Sequence, residues 1–334
     1  GREGGQEEAL ILVLGAGRGP LVTASIKAAR TAGVRAKVLC VEKNRNALIT
    51  LRHRAIHDAE WRSAGVEVVE ADMRSWEGPK GGRRAHVLVS ELLGSLGDNE
   101  LSPECLDGAQ RLLASGGISV PCRYTSFLAP LTSAKAWTEV RKLGDASNFE
   151  KLFVVRLHSA SLLAPPAPLF TFEHPNPELL DKAAAAAEKA ARVAGSAAAI
   201  VHVAAAGQVA VPSPCSPSSP SPGLSHNARY ATLRWRPEVA GVMHGFAGYF
   251  LCELFSDIAI STEPKTRSEG MGSWFEAYLP LQHPVDVKPS EMVELHVWRC
   301  VDEARRRVWY EWALAAPVRT PIFNPNGRSY WIGL

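Results

Sequence analysis

Two glutamates, Glu91 and Glu100, are the side chains whose type and spacing best suit chemistry in this 334-residue sequence. They stand near the start and at the end of the segment VSELLGSLGDNE (89–100), with Gly94 and Gly97 between them. The spacing is too long for one helical face, but the glycines allow the segment to fold back so that both carboxylates point into one pocket. Such a pair suits a planar cation with several N–H donors, which in a protein is a guanidinium. The alternative is two solvated loop residues.

The residues before this loop alternate between strand-like and helix-like patterns, which predicts an open α/β sheet. Strands are predicted at 10–14, 36–41, 66–70, 86–90 and 118–120, and helices at 21–31, 45–62 and 102–113. Ligands of such sheets bind beyond the carboxyl ends of the strands. Glu91 follows the fourth strand and is therefore expected at the ligand-binding edge.

Three other strand ends carry groups that suit a nucleoside. The first strand runs into the turn formed by Gly15, Gly17, Gly19 and the residues between them, the second ends at Glu42, and the third is followed by Asp72 and Met73. A carboxylate at the tip of the second strand is where nucleotide-binding folds hold a ribose. The pattern predicts Glu42 on the ribose, Asp72 or the Met73 backbone on the adenine edge, and the glycines against the remainder of the cofactor.

The spacing of the glycines indicates which cofactor this is. The turn has the form G-x-G-x-G followed by Pro20, whereas a dinucleotide-binding turn has the form G-x-G-x-x-G. A second βαβ half is also missing after the fifth predicted strand. Both observations favour S-adenosyl-L-methionine over a nicotinamide, although a nicotinamide oxidoreductase remains an alternative.

From residue 123 the pattern changes to short strand-like runs, which predicts a β-barrel or sandwich domain. These runs lie at 124–129, 153–157, 169–172, 230–235, 248–254, 258–261, 292–298 and 307–314. A helix is predicted at 133–143. Residues 177–225 are an insertion that contains the linker-like run PSPCSPSSPSP (212–222). We therefore expect a Rossmann-like cofactor-binding domain over 1–122 and a β-barrel substrate domain over 123–334.

The overall composition sets wide bounds on partners and location. A net charge of +3 neither demands nor excludes nucleic acid. The six cysteines are spread without a C-x-x-C pair, so we expect reduced thiols in an intracellular protein and no metal site. The sequence has no signal peptide and no uncharged apolar run long enough to span a bilayer. Its first residue is Gly rather than Met, which indicates a fragment.

Nine stretches together carry a family resemblance. They are VLGAGRGPL (13–21), VEKN (41–44), ADMR (71–74), SELLGSLGDNELSPECLDGAQ (90–110), YTSFLAP (124–130), HGFAGYF (244–250), SWF (273–275), VWYEWA (308–313) and NPNGRSYWIGL (324–334). On these stretches the chain resembles the type II, symmetric-dimethylating protein arginine methyltransferases. The resemblance implies a class I S-adenosylmethionine-dependent methyltransferase domain followed by a β-barrel. It also implies methyl transfer to arginines of histones and other Arg-Gly-rich proteins.

The resemblance assigns roles to particular positions. Glu91 and Glu100 correspond to the catalytic glutamate pair, and Ser273 with Trp274 corresponds to the substrate-arginine slot. Without it, Trp274 would be interpreted as a core aromatic residue. Residues 131–170 correspond to an arm that forms head-to-tail homo-oligomers. We expect a cytoplasmic and nuclear protein with no membrane partner and no direct nucleic-acid contact.

The chain also departs from the family pattern. The family has an N-terminal domain that recruits a WD-repeat partner and a segment that folds over the cofactor, and the sequence contains neither. Gly272 stands where the family has phenylalanine, and the insertion at 177–225 is foreign to the pattern. A catalytically weak or inactive S-adenosylmethionine-binding scaffold is therefore the alternative to an active enzyme. A small-molecule methyltransferase is a third interpretation, which the paired glutamates and the β domain oppose.

Overall fold

The structure of the chain, a computed structural model, describes residues 8–180 and 226–333. The linker-like run at 212–222, and with it most of the predicted insertion, lies outside these residues. None of the helices within the described ranges combines the length and the apolar character that crossing a membrane requires.

The N-terminal part of the chain, residues 9–120, forms a five-stranded parallel sheet with its helices. Its strands are β1 (Ala9–Leu14), β2 (Ala36–Glu42), β3 (Glu67–Glu70), β4 (Ala85–Ser90) and β5 (Leu113–Val120). The α-helices of this domain are α1 (Pro20–Thr31), α2 (Arg45–His57), α3 (Ala59–Ser63) and α4 (Ser102–Gln110). The spatial order is β3-β2-β1-β4-β5, which places β1 directly beside β4. The glycine turn after β1 and the glutamate loop after β4 therefore start at adjacent strand ends, where open α/β sheets bind ligands.

Two helix boundaries differ from the sequence prediction. The single helix predicted at 45–62 is divided at Asp58, whose backbone is extended with ψ 115°. The Asp58 carboxylate accepts hydrogen bonds from the backbone N–H groups of Glu60 and Trp61, so it caps α3. The helix predicted at 102–113 ends at Gln110, and β5 begins at Leu113, earlier than the predicted 118.

From Arg123 onwards the chain forms two antiparallel sheets. The strands are β6 (Arg123–Thr132), β7 (Phe153–Val155), β8 (Ser161–Leu162), β9 (Ala167–Glu173), β10 (Arg229–Trp235), β11 (Gly241–Phe255), β12 (Ile258–Ser261), β13 (Glu276–Val287), β14 (Val293–Asp302), β15 (Arg307–Ala316) and β16 (Ile332–Gly333). One sheet has the order β7-β13-β11-β6-β8, with β12 added on β11 and β9 on β6; the other has the order β10-β14-β15-β16. Helix α5 (Ala134–Lys142) follows β6. An α/β domain followed by a β domain confirms the predicted fold class.

Sequence reasoning missed one long strand and shortened another. Strand β13 was not predicted because Pro280 and Pro284 lower the β propensity of its segment. The start of β11 was placed seven residues late because its first half contains Gly241 and Gly245. The pairing of β11 with β13 shifts register at Gly245, where a Cβ atom would lie 2.3 Å from the carbonyl oxygen of Leu279. Packing between the two strands therefore requires the glycine that weakened the local pattern.

The core of the β domain extends into the glutamate loop. Leu93 and Leu96 are 4% and 0% exposed and belong to the same apolar cluster as residues of both antiparallel sheets. The loop leaves the parallel sheet at β4, keeps Leu92 against that sheet's core and buries Leu93 and Leu96 in the other domain. Its position is therefore determined by both domains together.

Candidate active site

The glutamate loop folds back on itself at its two glycines. Gly94 and Gly97 each donate a backbone hydrogen bond to the other's carbonyl oxygen, at 3.1 and 2.8 Å. Gly97 has a φ of +85°, a region that L side chains rarely adopt. The middle of the loop is buried, whereas the Glu91 and Glu100 side chains at its two ends are exposed. The fold-back predicted from the glycines is present, and it leaves both carboxylates open to a ligand.

Asn99 holds the loop in this shape from inside. Its side-chain oxygen accepts a hydrogen bond from the Leu96 N–H at 2.7 Å. A Cβ atom on Gly94 would lie only 2.4 Å from the same oxygen. The loop therefore needs a glycine at 94 because the Asn99 amide occupies the space that a side chain would take.

The two glutamates influence each other electrostatically. Although Glu100 is exposed at the end of the loop, the protein around its carboxyl removes part of its hydration and so raises its pKa, and the charge of Glu91 raises it further. Glu91 Oε1 also accepts the Leu93 N–H at 2.9 Å, which orients that carboxylate. A cation bound between them would relieve the repulsion, so the pair is suited to hold a guanidinium.

Replacing Glu100 with glutamine should stabilise the fold at neutral pH. Because the pKa of Glu100 is raised in the folded chain, its ionisation costs stability once the pH exceeds the ordinary glutamate value of about 4.3. We expect Glu100→Gln to raise the Tm by about 1–3 °C at pH 7. The gain should shrink as the pH falls through about 4.3 and vanish near pH 3, where the carboxyl is protonated in both states. Calorimetric scans between pH 3 and 8 would test this, and a pH-independent gain would contradict it.

Trp274 lies directly against the glutamate loop. Its indole Nε1 donates a hydrogen bond to the carbonyl oxygen of Leu93 at 2.8 Å. Its ring packs edge-on against Phe250, with the ring centroids 5.8 Å apart. The side chain is only partly buried, so one part packs against the β-domain core and another part faces outward. Ser273 is exposed beside it. These two residues are thus adjacent to the loop, and their role in holding substrate stays a prediction.

Tyr330, near the end of the chain, was not singled out from the sequence. Burial raises the pKa of its hydroxyl, and the charge of Glu100 raises it further, so the hydroxyl is within electrostatic range of Glu100. The Asn324 side chain holds the segment by accepting the N–H of Tyr330 and donating to its carbonyl oxygen at 2.7 Å. The Tyr330 ring also packs against the apolar cluster to which Leu93 and Leu96 belong.

The Glu42 carboxylate lies at the carboxyl end of β2, at the edge of the parallel sheet where the sequence predicts a cofactor. It accepts three backbone N–H groups: Gly17 on Oε2 at 2.9 Å, and Lys43 and Asn44 on Oε1 at 2.8 Å each. The residue is 9% exposed. These bonds hold the carboxylate in one orientation and join the tip of β2 to the glycine turn. A carboxylate fixed in this way suits a pair of sugar hydroxyls.

The three glycines of the turn have different surroundings, although each has a positive φ. A Cβ atom on Gly15 would lie 3.3 Å from the Met73 methyl group, and one on Gly19 would lie 2.4 Å from the Trp61 ring. A Cβ atom on Gly17 would have no heavy atom of the described chain within 4 Å, apart from those of its sequence neighbours. Gly17 thus leaves room for a ligand beside Glu42, whereas the lack of a side chain at Gly19 is explained by packing against Trp61.

Trp61 and Arg54 support the glycine turn by direct contact. The Arg54 guanidinium lies 4.3 Å from the Trp61 ring centroid and donates to the carbonyl oxygen of Arg18 at 3.3 Å. Arg18 itself is exposed in the turn and directly follows Gly17 in the sequence. Sequence reasoning missed Arg54 and Trp61, because only the chain reversal between α1 and α3 brings Trp61 against the turn.

Asp72 is already paired with two cations. Arg74 binds both of its oxygens, with Nε at 3.0 Å and Nη2 at 2.7 Å, and Lys43 Nζ lies at 3.3 Å. The Arg74 guanidinium holds the pKa of the Asp72 carboxyl well below its usual range. Met73 lies beside Gly15 at the same edge. The predicted adenine contact of Asp72 or the Met73 backbone therefore stays a prediction, and the acidic side chain also orders its own turn.

Metal binding finds no support among the residues that can be described. Within 8–180 and 226–333, no three His, Cys, Asp or Glu side chains are grouped so as to hold an ion. The charged groups of the site instead stand at neighbouring strand ends of the parallel sheet. Glu42 at the end of β2 is bonded to Gly17 in the turn after β1, and Glu91 and Glu100 lie in the loop after β4, the strand beside β1. The arrangement suits an adenosine-type cofactor next to a guanidinium.

Comparison with known sequence families supports the same assignment. Residues 2–120 match the family described as PRMT5 arginine-N-methyltransferase, and residues 123–332 match the one described as PRMT5 oligomerisation domain. The chain belongs to the PRMT5 family. This confirms the resemblance to type II protein arginine methyltransferases seen in the sequence motifs. The match passes from one description to the other between residues 120 and 123, next to the predicted division at 122.

Curated members of the PRMT5 family align along almost the whole chain. Protein arginine N-methyltransferase 5 of Oryza sativa subsp. indica is 43% identical over 328 residues, and that of Xenopus laevis is 42% identical over 330 residues. Protein arginine N-methyltransferase skb1 of Schizosaccharomyces pombe is 36% identical over 340 residues. These alignments cover 96–97% of this chain but only 43–47% of each relative. The chain thus spans less than half the length of these PRMT5-family proteins.

A solved structure shares the fold at much lower sequence identity. It is the Trypanosoma brucei PRMT1 enzyme-prozyme heterotetrameric complex with AdoHcy, and it matches with a TM-score of 0.67. The match covers 95% of this chain and 88% of the other, at 12% identity. The two-domain arrangement of this PRMT5-family chain is therefore retained where little sequence similarity remains.

Proposed function

We propose that this chain is the catalytic part of a protein arginine N-methyltransferase that uses S-adenosyl-L-methionine. The observation that carries the proposal is the juxtaposition of two exposed carboxylates on a buried loop, at the end of β4, with a cofactor-type edge at the end of the neighbouring β1. When bound, S-adenosyl-L-methionine supplies an electrophilic methyl group on its sulfonium. The free space at Gly17, the fixed Glu42 carboxylate and the Arg18 cation fit its ribose and its amino-acid end.

The chain's own contribution is to hold and polarise the substrate guanidinium. A guanidinium has a pKa above about 12 and delocalised lone pairs, so it is a poor nucleophile. Glu91 and Glu100 grip its N–H groups on one side and concentrate positive charge there. Electron density is then freed on the nitrogen that faces the methyl group. Holding both reactants in line accounts for roughly 7–11 kcal/mol of a bimolecular barrier.

Proton removal follows methyl transfer in this scheme. The methylated nitrogen must lose one proton for the product to leave with the charge of an ordinary guanidinium. Glu100 is the group suited to accept it, because burial and the Glu91 charge raise its pKa and so its affinity for a proton. Trp274, which is hydrogen-bonded to Leu93 of the loop, helps to keep water from the bound guanidinium.

Substrate, product, partners and location are inferred from family resemblance. We infer Arg-Gly-rich proteins and histone tails as substrates, symmetric dimethylarginine as the product, and homo-oligomers formed through residues 131–170. A WD-repeat partner is inferred for a longer protein that contains the N-terminal domain. The inferred location is the cytoplasm and the nucleus. Support comes from the aligned relatives named as arginine methyltransferases and from the oligomerisation-domain match over 123–332.

Mass spectrometry of a methylated peptide tests this proposal directly. The chain is incubated with labelled S-adenosyl-L-methionine and an Arg-Gly-rich peptide, and the arginine products are separated. Mono- and symmetric dimethylarginine are the expected products. Asymmetric dimethylarginine would contradict the type II assignment. Cofactor binding without label transfer would favour the scaffold alternative.

A further inference from the structure

A fully buried arginine of the β domain lies behind the glutamate loop. Arg299, on β14, is 0% exposed. Its Nε donates to Asp98 Oδ2 at 2.7 Å, and its Nη1 and Nη2 donate to the two carboxylate oxygens of Glu104 at 2.7 and 3.0 Å. Nη1 also donates to the carbonyl oxygen of Asn227 at 3.0 Å. One guanidinium therefore joins the loop, helix α4 and the β domain.

Asp98 is the point at which the loop is fixed to the β domain. Its Oδ2 also accepts the Tyr310 hydroxyl at 2.6 Å, and its Oδ1 accepts the Ser126 hydroxyl at 2.8 Å. The Ser126 Oγ is in turn 2.6 Å from the carbonyl oxygen of Leu96. Asp98 is 0% exposed. Side chains from β6, β14 and β15 thus converge on a single carboxylate two residues before Glu100.

Glu100 lies between the two carboxylates that Arg299 binds. Asp98 precedes it in the sequence, and Glu104, in the first turn of α4, follows it. Leu101, directly after Glu100, has a φ of +65°, which is unfavourable for a leucine. Such a conformation persists only where the surroundings over-determine it. Binding both flanking carboxylates to one rigid guanidinium supplies that constraint at Glu100 and Leu101.

We propose that Arg299 is a positioning residue that aims the Glu100 carboxylate by tying Asp98 and Glu104 to one guanidinium. The proposal rests on the proposed function, in which Glu100 grips the substrate arginine. A buried ion pair contributes little net stability compared with an apolar replacement, so stability alone does not account for it. Arginine is needed because its planar fork reaches both carboxylates at once, whereas a lysine presents a single ammonium group.

Arg299→Lys is the decisive variant because it keeps the charge and loses the fork. We expect its kcat to fall at least 10-fold, while the KM for an Arg-Gly peptide and the Kd for S-adenosyl-L-methionine stay within about 3-fold. Amide hydrogen exchange in the segment 94–101 should accelerate at least 10-fold. Glu104→Gln, which keeps Arg299 and removes one carboxylate charge, should shift both readouts in the same direction and serves if Arg299→Lys does not fold.

Val297→Ala is the matched control. Val297 is 0% exposed on the same strand and the same inner face, and it is not part of the ion network. At a comparable loss of Tm it should leave kcat and the exchange of residues 94–101 unchanged. The proposal is overturned if Val297→Ala lowers kcat as much as Arg299→Lys. It is equally overturned if exchange or kcat is unaltered in both Arg299→Lys and Glu104→Gln. If the unmodified chain transfers no methyl group, the proposed function fails, and the exchange measurement alone decides the positioning.

Discussion

Glu100→Gln is expected to slow methyl transfer to an Arg-Gly peptide by about 10²–10³-fold, the effect of removing one preorganised charged group from an active site. The amide has nearly the same shape as the carboxylate, but it presents N–H donors towards the N–H donors of the guanidinium. It also loses the charge-assisted hydrogen bonds that concentrate the substrate's charge on one side. Glu91→Gln should have an effect of the same order, since the two carboxylates share one cation.

Steady-state rates with labelled S-adenosyl-L-methionine, together with calorimetric cofactor binding, test this expectation. Cofactor affinity should remain within a few-fold in both variants, because neither glutamate lies on the Gly17 and Glu42 side of the site. Glu238→Gln is the control. Glu238 is exposed in the loop after β10, so this substitution removes the same type of charge away from the site. Near-normal rates in either variant would contradict the proposal that Glu91 and Glu100 hold the substrate guanidinium.

Glu42→Ala is expected to weaken S-adenosyl-L-methionine binding by about 10²-fold or more. Two hydroxyl hydrogen bonds to a charged group contribute about 1.5–3 kcal/mol each, which sets this magnitude. The structure adds a second reason. Glu42 accepts the N–H groups of Gly17, Lys43 and Asn44, so its loss also releases the glycine turn from the tip of β2. Binding loss should therefore come with a lowered Tm.

Titration calorimetry below the variant's Tm measures the affinity. Glu70→Ala is the matched control because Glu70 is the register partner of Glu42 on the neighbouring β3, and its side chain pairs with Arg52 at the surface. This variant should bind the cofactor normally. An unchanged affinity in Glu42→Ala would mean that the ribose contact lies elsewhere.

Much of the parallel sheet followed from local patterns. The run at Ala9–Leu14 is wholly apolar, the glycine turn follows it, and the carboxylates come at successive strand ends. Each of these signals lies within a few residues, and the rule that ligands bind at the carboxyl edge places them together. The family motifs then identified the chain. In the β domain, prolines and glycines hid the same kind of signal, so β13 was missed.

The sequence by itself determined which groups are available: a fold-back loop with Glu91 and Glu100, a glycine turn, and Glu42 at a strand tip. Only the tertiary structure decided what holds them. Arg299 binds Asp98 across 201 positions, and Trp274 reaches Leu93 across 181. Backbone preferences and hydrophobic periodicity act over one or two turns of chain. Partners so far apart meet only when strand register and side-chain packing between two domains are complete, and no local pattern carries that information.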